Sequence, residues 1–267
     1  MSFERPQVMG ILNVTPDSFS DGGRYTSISL AVEKAIDMEA AGASIIDIGG
    51  ESTRPGSRPI SLEEELLRVL PVIKEIRRHS NIAISIDTSK AEVMEAAVKS
   101  GANMVNDVWA LRLPNALSMV SSLGVPVCLM HMQATPATMQ HHPNYGDVVD
   151  EVKHFFDQRI NACVKAGIAL NNIIIDPGFG FGKSLDNNLC LLKNLAQFET
   201  VGRPILVGLS RKSMLGHILN KKVDERTEAS VAAALLAVTK GASIVRVHDV
   251  AETVDALTIF NALQDVD

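Results

Sequence analysis

Eight short runs of β-branched and apolar residues recur along the chain, each ending at or near a polar residue and followed by helical spacing. They span 8–12, 45–49, 82–87, 104–107, 126–130, 173–176, 205–208 and 244–247, with first residues 37, 37, 22, 22, 47, 32 and 39 positions apart. Such alternation demands parallel strands, because a strand that returns through a helix re-enters the sheet in the same direction. Leu62, Leu66, Leu67, Leu70 and Ile73 form a stripe at three- and four-residue spacing, with Glu63, Glu64, Glu65 and Arg68 on the other faces. That is the pattern of a helix lying on a sheet. Gly42, Gly101 and Gly241 each open a Gly-Ala joint before a run, as expected of a glycine that closes a helix. No linker or low-complexity tract divides the chain, so residues 1–267 are read as a single domain. Eight βα units in a length near ~250 residues point to a closed (β/α)8 TIM barrel with its site at the C-terminal ends of the strands. An open doubly wound sheet is the alternative, and it too would gather function on that side.

Composition narrows the partners. The chain carries 25 basic and 31 acidic residues, a net charge of −6, which argues against nucleic acid or an anionic membrane as the main partner. An anionic ligand would need a local cationic cluster. Hydrophobic residues make up 46% of the chain with one Trp and two Tyr, so an aliphatic core is expected and disorder is excluded. The cysteines Cys128, Cys163 and Cys190 are far apart and form no C-x-x-C pair, which excludes a disulfide scaffold and a structural zinc site. Core packing is expected of all three. The start MSFERPQVMGIL lacks a basic segment followed by an apolar stretch, and no window approaches the ~18 apolar residues of a spanning helix. The expectation is a cytoplasmic protein.

Polar residues then line up at the ends of the runs. In order they are Asn13; Glu51 with Thr53, Arg54 and Pro55; Asp87; Asn106 and Asp107; His131; Asp176; Ser210, Arg211, Lys212 and Ser213; and Arg246 with His248. In a closed barrel the carboxylates Asp87, Asp107 and Asp176, two amides and the cations Arg54, Arg211, Lys212 and Arg246 face one cavity, with His248 beside them. Cations after strands seven and eight match the place where barrels hold phosphate, and a helix opening near Ser213 adds its free N–H groups. Carboxylates on strands three and six suit a planar heterocycle with paired N–H donors. Salt bridging among these groups is the competing explanation.

Two look-alike motifs fail. Gly178, Gly180 and Gly182 give G-x-G-x-G rather than the dinucleotide spacing, and Gly182-Lys183-Ser184 lacks a P-loop because Pro177 stands where that motif needs glycine. There is no G-x-S-x-G, and His141 and His142 lie in a polar loop without a partner base, so a nucleophilic triad is not expected.

Five segments carry a resemblance. Residues 9–23 (MGILNVTPDSFSDGG), 47–56 (DIGGESTRPG), 176–183 (DPGFGFGK), 208–213 (GLSRKS) and 246–249 (RVHD) resemble, in order, the motifs of the dihydropteroate synthase family. The resemblance implies a (β/α)8 barrel and a transferase of folate biosynthesis. That activity condenses 6-hydroxymethyl-7,8-dihydropterin diphosphate with p-aminobenzoate to give 7,8-dihydropteroate and pyrophosphate. It implies that Asp87, Asn106, Asp176 and Lys212 hydrogen-bond the pterin, with Met130 and Phe181 lining its slot and Arg246 stacking on its face. Asn13, Arg246 and His248 would hold the diphosphate and its Mg²⁺, with Asn13 the metal ligand. Asp17, Ser18, Phe19, Thr53, Arg54 and Pro55 would close over p-aminobenzoate, and Ser213 would meet its carboxylate. Small-molecule substrates and a homodimer are the partners it implies; the Ala-rich segment 229–239 could serve as the dimer surface or pack on the barrel. The mechanism expected is loss of diphosphate first, then attack by the arylamine, with Asn13, Lys212, Arg246 and His248 positioning and stabilising. Two features depart from the pattern. The segment before Val8 is too short for the hairpin that often plugs the barrel floor, and Trp109 is unusually large, either capping the barrel or tuning a loop. A methyltetrahydrofolate methyltransferase and a non-catalytic pterin-binding module are the rival readings.

Overall fold

The computed structural model describes residues 4–15, 24–52, 57–133, 139 and 143–266, with the backbone alone at 24–26. Eight strands, β1 (Gln7–Asn13), β2 (Ile45–Gly49), β3 (Ala83–Asp87), β4 (Met104–Asp107), β5 (Val127–Met130), β6 (Ile173–Asp176), β7 (Ile205–Val207) and β8 (Ala242–Val247), pair in sequence order. Every pairing is parallel and β8 closes on β1, so the open-sheet alternative does not apply. The strands match the runs seen in the sequence to within two residues at either end.

Around the barrel lie α1 (Arg24–Ala40), α2 (Leu62–His79), α3 (Ala91–Lys99), α4 (Ala116–Leu123), α5 (Val148–Lys165), α6 (Leu185–Lys193), α7 (Ser213–Leu219), α8 (Thr227–Val238) and α9 (Val250–Gln264). Their apolar faces meet the outer faces of the strands in one continuous core that includes Ile46, Ile48, Ile73, Ile76, Ile84 and Val105. The joints at Gly42, Gly101 and Gly241 all take the left-handed conformation expected of helix-closing glycines. No strand precedes β1 in residues 4–6. Among the described residues no helix is long and apolar enough to cross a membrane.

Two expectations about helices are corrected. The buried face of α2 is Val69, Val72, Ile73 and Ile76 together with Glu65, whereas Leu67 is 55% exposed. Glu65 goes inside because it has partners there: Lys90 Nζ donates to it at 2.6 Å and Thr88 Oγ1 at 2.5 Å. Cys128 and Cys163 are buried, but Cys190 is exposed on α6. The Ala-rich α8 packs Ala233, Ala234 and Ala237 inward, against β8 and α9.

Inside the barrel the strand period of two sorts the side chains by height. Met9, Ile45, Met104, Cys128, Ile174, Leu206 and Ile244, with Ala83 against them, form an apolar plug. Two residues further along the same strands stand Asp47, Ser85, Asn106, Met130, Asp176 and Arg246, so charge begins one layer above the plug.

Candidate active site

The polar layer is held together by one arginine. Arg246 on β8 donates from Nε to Asp47 Oδ2 at 2.5 Å and from Nη2 to Asp87 Oδ2 at 2.8 Å. Asn106 Nδ2 donates to the same Asp47 oxygen at 3.2 Å. Burial works against the Arg246 charge, yet Asp47 and Asp87 together hold its pKa above the ordinary value. Burial pushes Asp87 up to about 7, the carboxylates of Asp47 and Asp107 adding to the rise while Arg246 opposes it. Asp47 Oδ1 and Ser85 Oγ, neighbours in the β2–β3 register, are buried without a hydrogen-bond partner among the described residues.

Asp176 ends β6 beside Met130 and its pKa is raised by burial, with Lys212 pulling the other way. Its Oδ1 accepts from Gly178 N at 2.8 Å, which starts the turn of the following loop. Lys212 is pushed down to about 8 by burial; its Nζ donates to Phe179 O and lies 4.5 Å from the Phe181 ring centre. Met130, at the end of β5, and Phe181, in the loop after β6, pack in one small cluster with Val108, Met132, Met139 and Trp109. Trp109 packs against this cluster, with the Arg112 guanidinium 5.6 Å from its ring centre.

His248 follows β8 on the inward phase. Its backbone N donates to Ser210 Oγ at 3.1 Å and its Nδ1 lies 2.9 Å from the same oxygen. We assign the hydroxyl proton to the bond with Nδ1 and the imidazole proton to Nε2. Burial pushes His248 down to about 4, the cations Arg246 and Arg211 adding to the effect. It is a neutral donor at pH 7. Asn13 sits on the same rim: Gly49 has no Cβ, and one placed there would lie 3.6 Å from Asn13 Oδ1 and 3.7 Å from Asp87 Oδ2. Ser213, at the start of α7, is exposed.

Two members of the expected ring face elsewhere. Asp107 lies on the opposite strand phase from Asn106 and accepts from Ser89 Oγ at 2.5 Å, Trp109 N at 2.9 Å and Leu111 N at 2.8 Å. It caps a tight turn in which Ala110 and Leu111 have positive φ. Arg211 turns outward and is paired with Asp249, its Nε 3.1 Å from Oδ2. Asp17, Ser18, Phe19, Thr53, Arg54, Pro55, His141 and His142 lie outside the described residues.

Residue-by-residue reading of the strand ends passed over Asp47, although counting back by two from Gly49 along the inward phase finds it. It also took His131 as a rim residue and left Lys183 unexplained. Lys183 is buried, with its Nζ 2.9 Å from His131 Nδ1, and burial pushes it down to about 7. His131 is pushed down to about 2 by burial, the Lys183 and Arg112 charges adding to it. Gly178 shows what the glycine triplet is for. At φ +71° it lies so close to β5 that a Cβ would come within 1.9 Å of His131 O, so only glycine fits.

No group of three or more His, Cys, Asp or Glu side chains among the described residues could hold a metal by itself. The rim offers Asn13 Oδ1 on the same glycine, Gly49, that Asp87 flanks from the next strand. Such a donor set suits a hard cation that keeps waters and takes its remaining oxygens from a substrate phosphate.

The sequence of residues 9–248 matches the family model described as pterin binding enzyme. The chain is 52% identical over 262 residues to the dihydropteroate synthase of Escherichia coli strain K12, covering 98% of this chain and 93% of that protein. It is also similar to the Xanthomonas albilineans dihydropteroate synthase solved with 4-aminobenzoic acid, with a TM-score of 0.95 and 50% identity over 100% of this chain and 96% of that one. The structure of the Xanthomonas albilineans enzyme with 7,8-dihydropteroate matches with a TM-score of 0.92 and 48% identity, over 100% and 97% of the two chains.

Proposed function

The chain belongs to the pterin binding enzymes, and among them to the dihydropteroate synthases; from that premise we propose how its barrel mouth condenses a dihydropterin diphosphate with p-aminobenzoate. The observation that carries the reading is a pair of buried acceptors, Asp87 and Asp176, on strands three apart around one mouth, with Arg246 between them and Lys212 on the rim. A pterin presents ring N–H groups and an exocyclic amine at its edge, and carboxylates are the side chains that accept two parallel N–H bonds.

In the proposed binding mode Asp87, Asn106, Asp176 and Lys212 hydrogen-bond the ring between Met130 and Phe181. Arg246 stacks on its face and turns donors toward the diphosphate, a double task suited to a planar guanidinium. The ligand therefore competes with Arg246 for Asp87, while Asp47 stays paired with the arginine and keeps its charge compensated. His248 adds a neutral N–H to the leaving diphosphate. Asn13 would hold Mg²⁺ together with the substrate's phosphate oxygens, and the chemistry it would supply there is neutralisation of anionic charge.

The reaction we propose is dissociative: the bond from the pterin methylene to the diphosphate oxygen breaks first, the electron pair leaving with pyrophosphate. The arylamine nitrogen then bonds to the methylene carbon and releases its proton to solvent or to pyrophosphate. The protein contributes positioning and stabilisation of the anion, and no side chain has to act as general base. Ser213 would receive the p-aminobenzoate carboxylate, and Asp17, Ser18, Phe19, Thr53, Arg54 and Pro55 would close over the arylamine. The test is pyrophosphate release with and without p-aminobenzoate in the wild type and in Arg246→Ala. Arylamine-dependent release lost in the variant supports the scheme; tight pterin binding without release in either protein favours the non-catalytic or methyltransferase reading.

For the homodimer, the support is a set of exposed apolar side chains on three successive helices: Ile218 and Leu219 of α7, Leu236 of α8, and Ile259 and Leu263 of α9, the last two 66% and 67% exposed. Sedimentation of Leu236→Asp against wild type tests it, a monomer being the expected result. A cytoplasmic location is supported by the free, buried thiols of Cys128 and Cys163.

A further inference from the structure

We propose that Lys183 and His131 form a clasp that sets the width of the pterin slot, acting as positioning residues for Phe181 and Asp176 without touching the ligand. The inference rests on the pterin reading of this mouth. Lys183 Nζ lies within hydrogen-bond reach of four acceptors: His131 Nδ1 at 2.9 Å, Gly178 O at 3.0 Å, Phe181 O at 3.1 Å and, longest, His131 O at 3.4 Å. Two of these belong to the loop that follows Asp176 and carries Phe181, and the other two to His131, the residue next to Met130. One buried side chain thus ties the end of β5, beside Met130, to the loop that carries Phe181.

The neighbours leave the clasp no freedom. The His131 ring is held edge-on by Phe155, with centroids 4.9 Å apart, and its neutral form presents Nδ1 as an acceptor. The loop lies backbone to backbone against the end of β5: added Cβ atoms at Gly178 and Gly182 would come within 1.9 Å of His131 O and 2.8 Å of Gln133 O. Tyr145 Oη donates to Gly182 O at 2.8 Å and pins the far end. Asn188 Oδ1 accepts from Gly180 N at 2.7 Å and holds the middle. An apolar side chain in place of a buried lysine would avoid the cost of desolvating an amine. What a methionine could not do is hold two loop carbonyls and the imidazole at fixed distances.

The test uses Lys183→Met, His131→Leu, His131→Asn and Tyr145→Phe in the full chain. It reads KM for the dihydropterin diphosphate and for p-aminobenzoate separately, and the thermal midpoint. Lys183→Met and His131→Leu are expected to raise the pterin KM by about ten-fold or more and leave the p-aminobenzoate KM within about two-fold. Asparagine keeps an acceptor near the position of Nδ1, so His131→Asn should return the pterin KM to within about three-fold of wild type. Tyr145→Phe, which loses one bond to the same loop, should raise it about two- to five-fold. The proposal is overturned if folded Lys183→Met or His131→Leu keeps the wild-type pterin KM, if both KM values rise together, or if His131→Asn is as impaired as His131→Leu. Should the two harsher variants not fold, an unchanged pterin KM in Tyr145→Phe overturns it. A wild type that does not turn over the dihydropterin substrate refutes the pterin reading itself, a result separate from any of these.

Discussion

Two adjacent layers of the same barrel, built from the same strands, do opposite things. The lower layer, Met9, Ile45, Met104, Cys128, Ile174, Leu206 and Ile244, is apolar and closed. Two residues higher, Asp47, Asn106 and Asp176 are buried and polar and Arg246 is partly buried, and among the described residues Asp47 Oδ1 and Ser85 Oγ have no hydrogen-bond partner. The lower layer gains free energy from burial, at ~25 cal/mol per Å² of apolar surface. The upper layer spends it on desolvating groups that a ligand will use. The difference teaches that a step of two residues along a strand is enough to pass from stability to function.

The comparison breaks most severely at Arg246. Arg246→Ala should lower kcat/KM by about a thousand-fold and, by leaving Asp47 and Asp87 without their cation, also destabilise the fold. Steady-state kinetics and urea unfolding together check this; normal turnover in a folded variant would contradict it. In the plug, Leu206→Ala should cost about 3 kcal/mol of stability while kcat stays within about two-fold of wild type, as unfolding midpoints and rates will tell. A large kinetic defect there would erase the distinction between the layers.

Asp176→Asn sharpens the contrast. It should weaken dihydropterin binding about ten- to hundred-fold with little loss of stability, because burial already disfavours the Asp176 charge. Fluorescence titration of the pterin checks it, and unaltered affinity would remove Asp176 from the site. The smallest effect is one of pH. His131 has a folded pKa pushed down to about 2 from an ordinary 6.5, so below pH 6.5 the unfolded chain takes up a proton that the native chain refuses. Stability attributable to this group is therefore full above pH 6.5 and falls as pH drops, by about 1 kcal/mol per unit. His131→Asn should flatten that acid limb relative to wild type between pH 6.5 and 4.5, measured as denaturation midpoints across the range.

Much of the site was legible because strand periodicity is local. Asp87, Asn106, Met130, Asp176 and Arg246 end or nearly end their runs on the inward phase, and their convergence follows once the barrel closes. The same rule, applied strictly, separates Asp107 from Asn106 and brings in Asp47. Arg211 and Lys183 were not open to that rule, since both lie in loops where no fixed period relates sequence to direction. The α2 stripe misled because a leucine at helical spacing outweighs a glutamate in any pattern, and only the fold supplies the Lys90 and Thr88 that let Glu65 go inside.

The sequence by itself determined the eight βα units and most of the polar residues that end their strands, features governed by neighbours a few positions apart, whereas closure into a barrel rests on β8 pairing with β1. Only the tertiary structure decided which charge meets which: Arg246 with Asp47 and Asp87, Lys183 with His131, Arg211 with Asp249, Glu65 with Lys90. The physical reason is range. Hydrophobic period and backbone preference act over a few residues, whereas an ion pair such as Arg246–Asp47 joins groups 199 positions apart and exists only after the strands have closed around it.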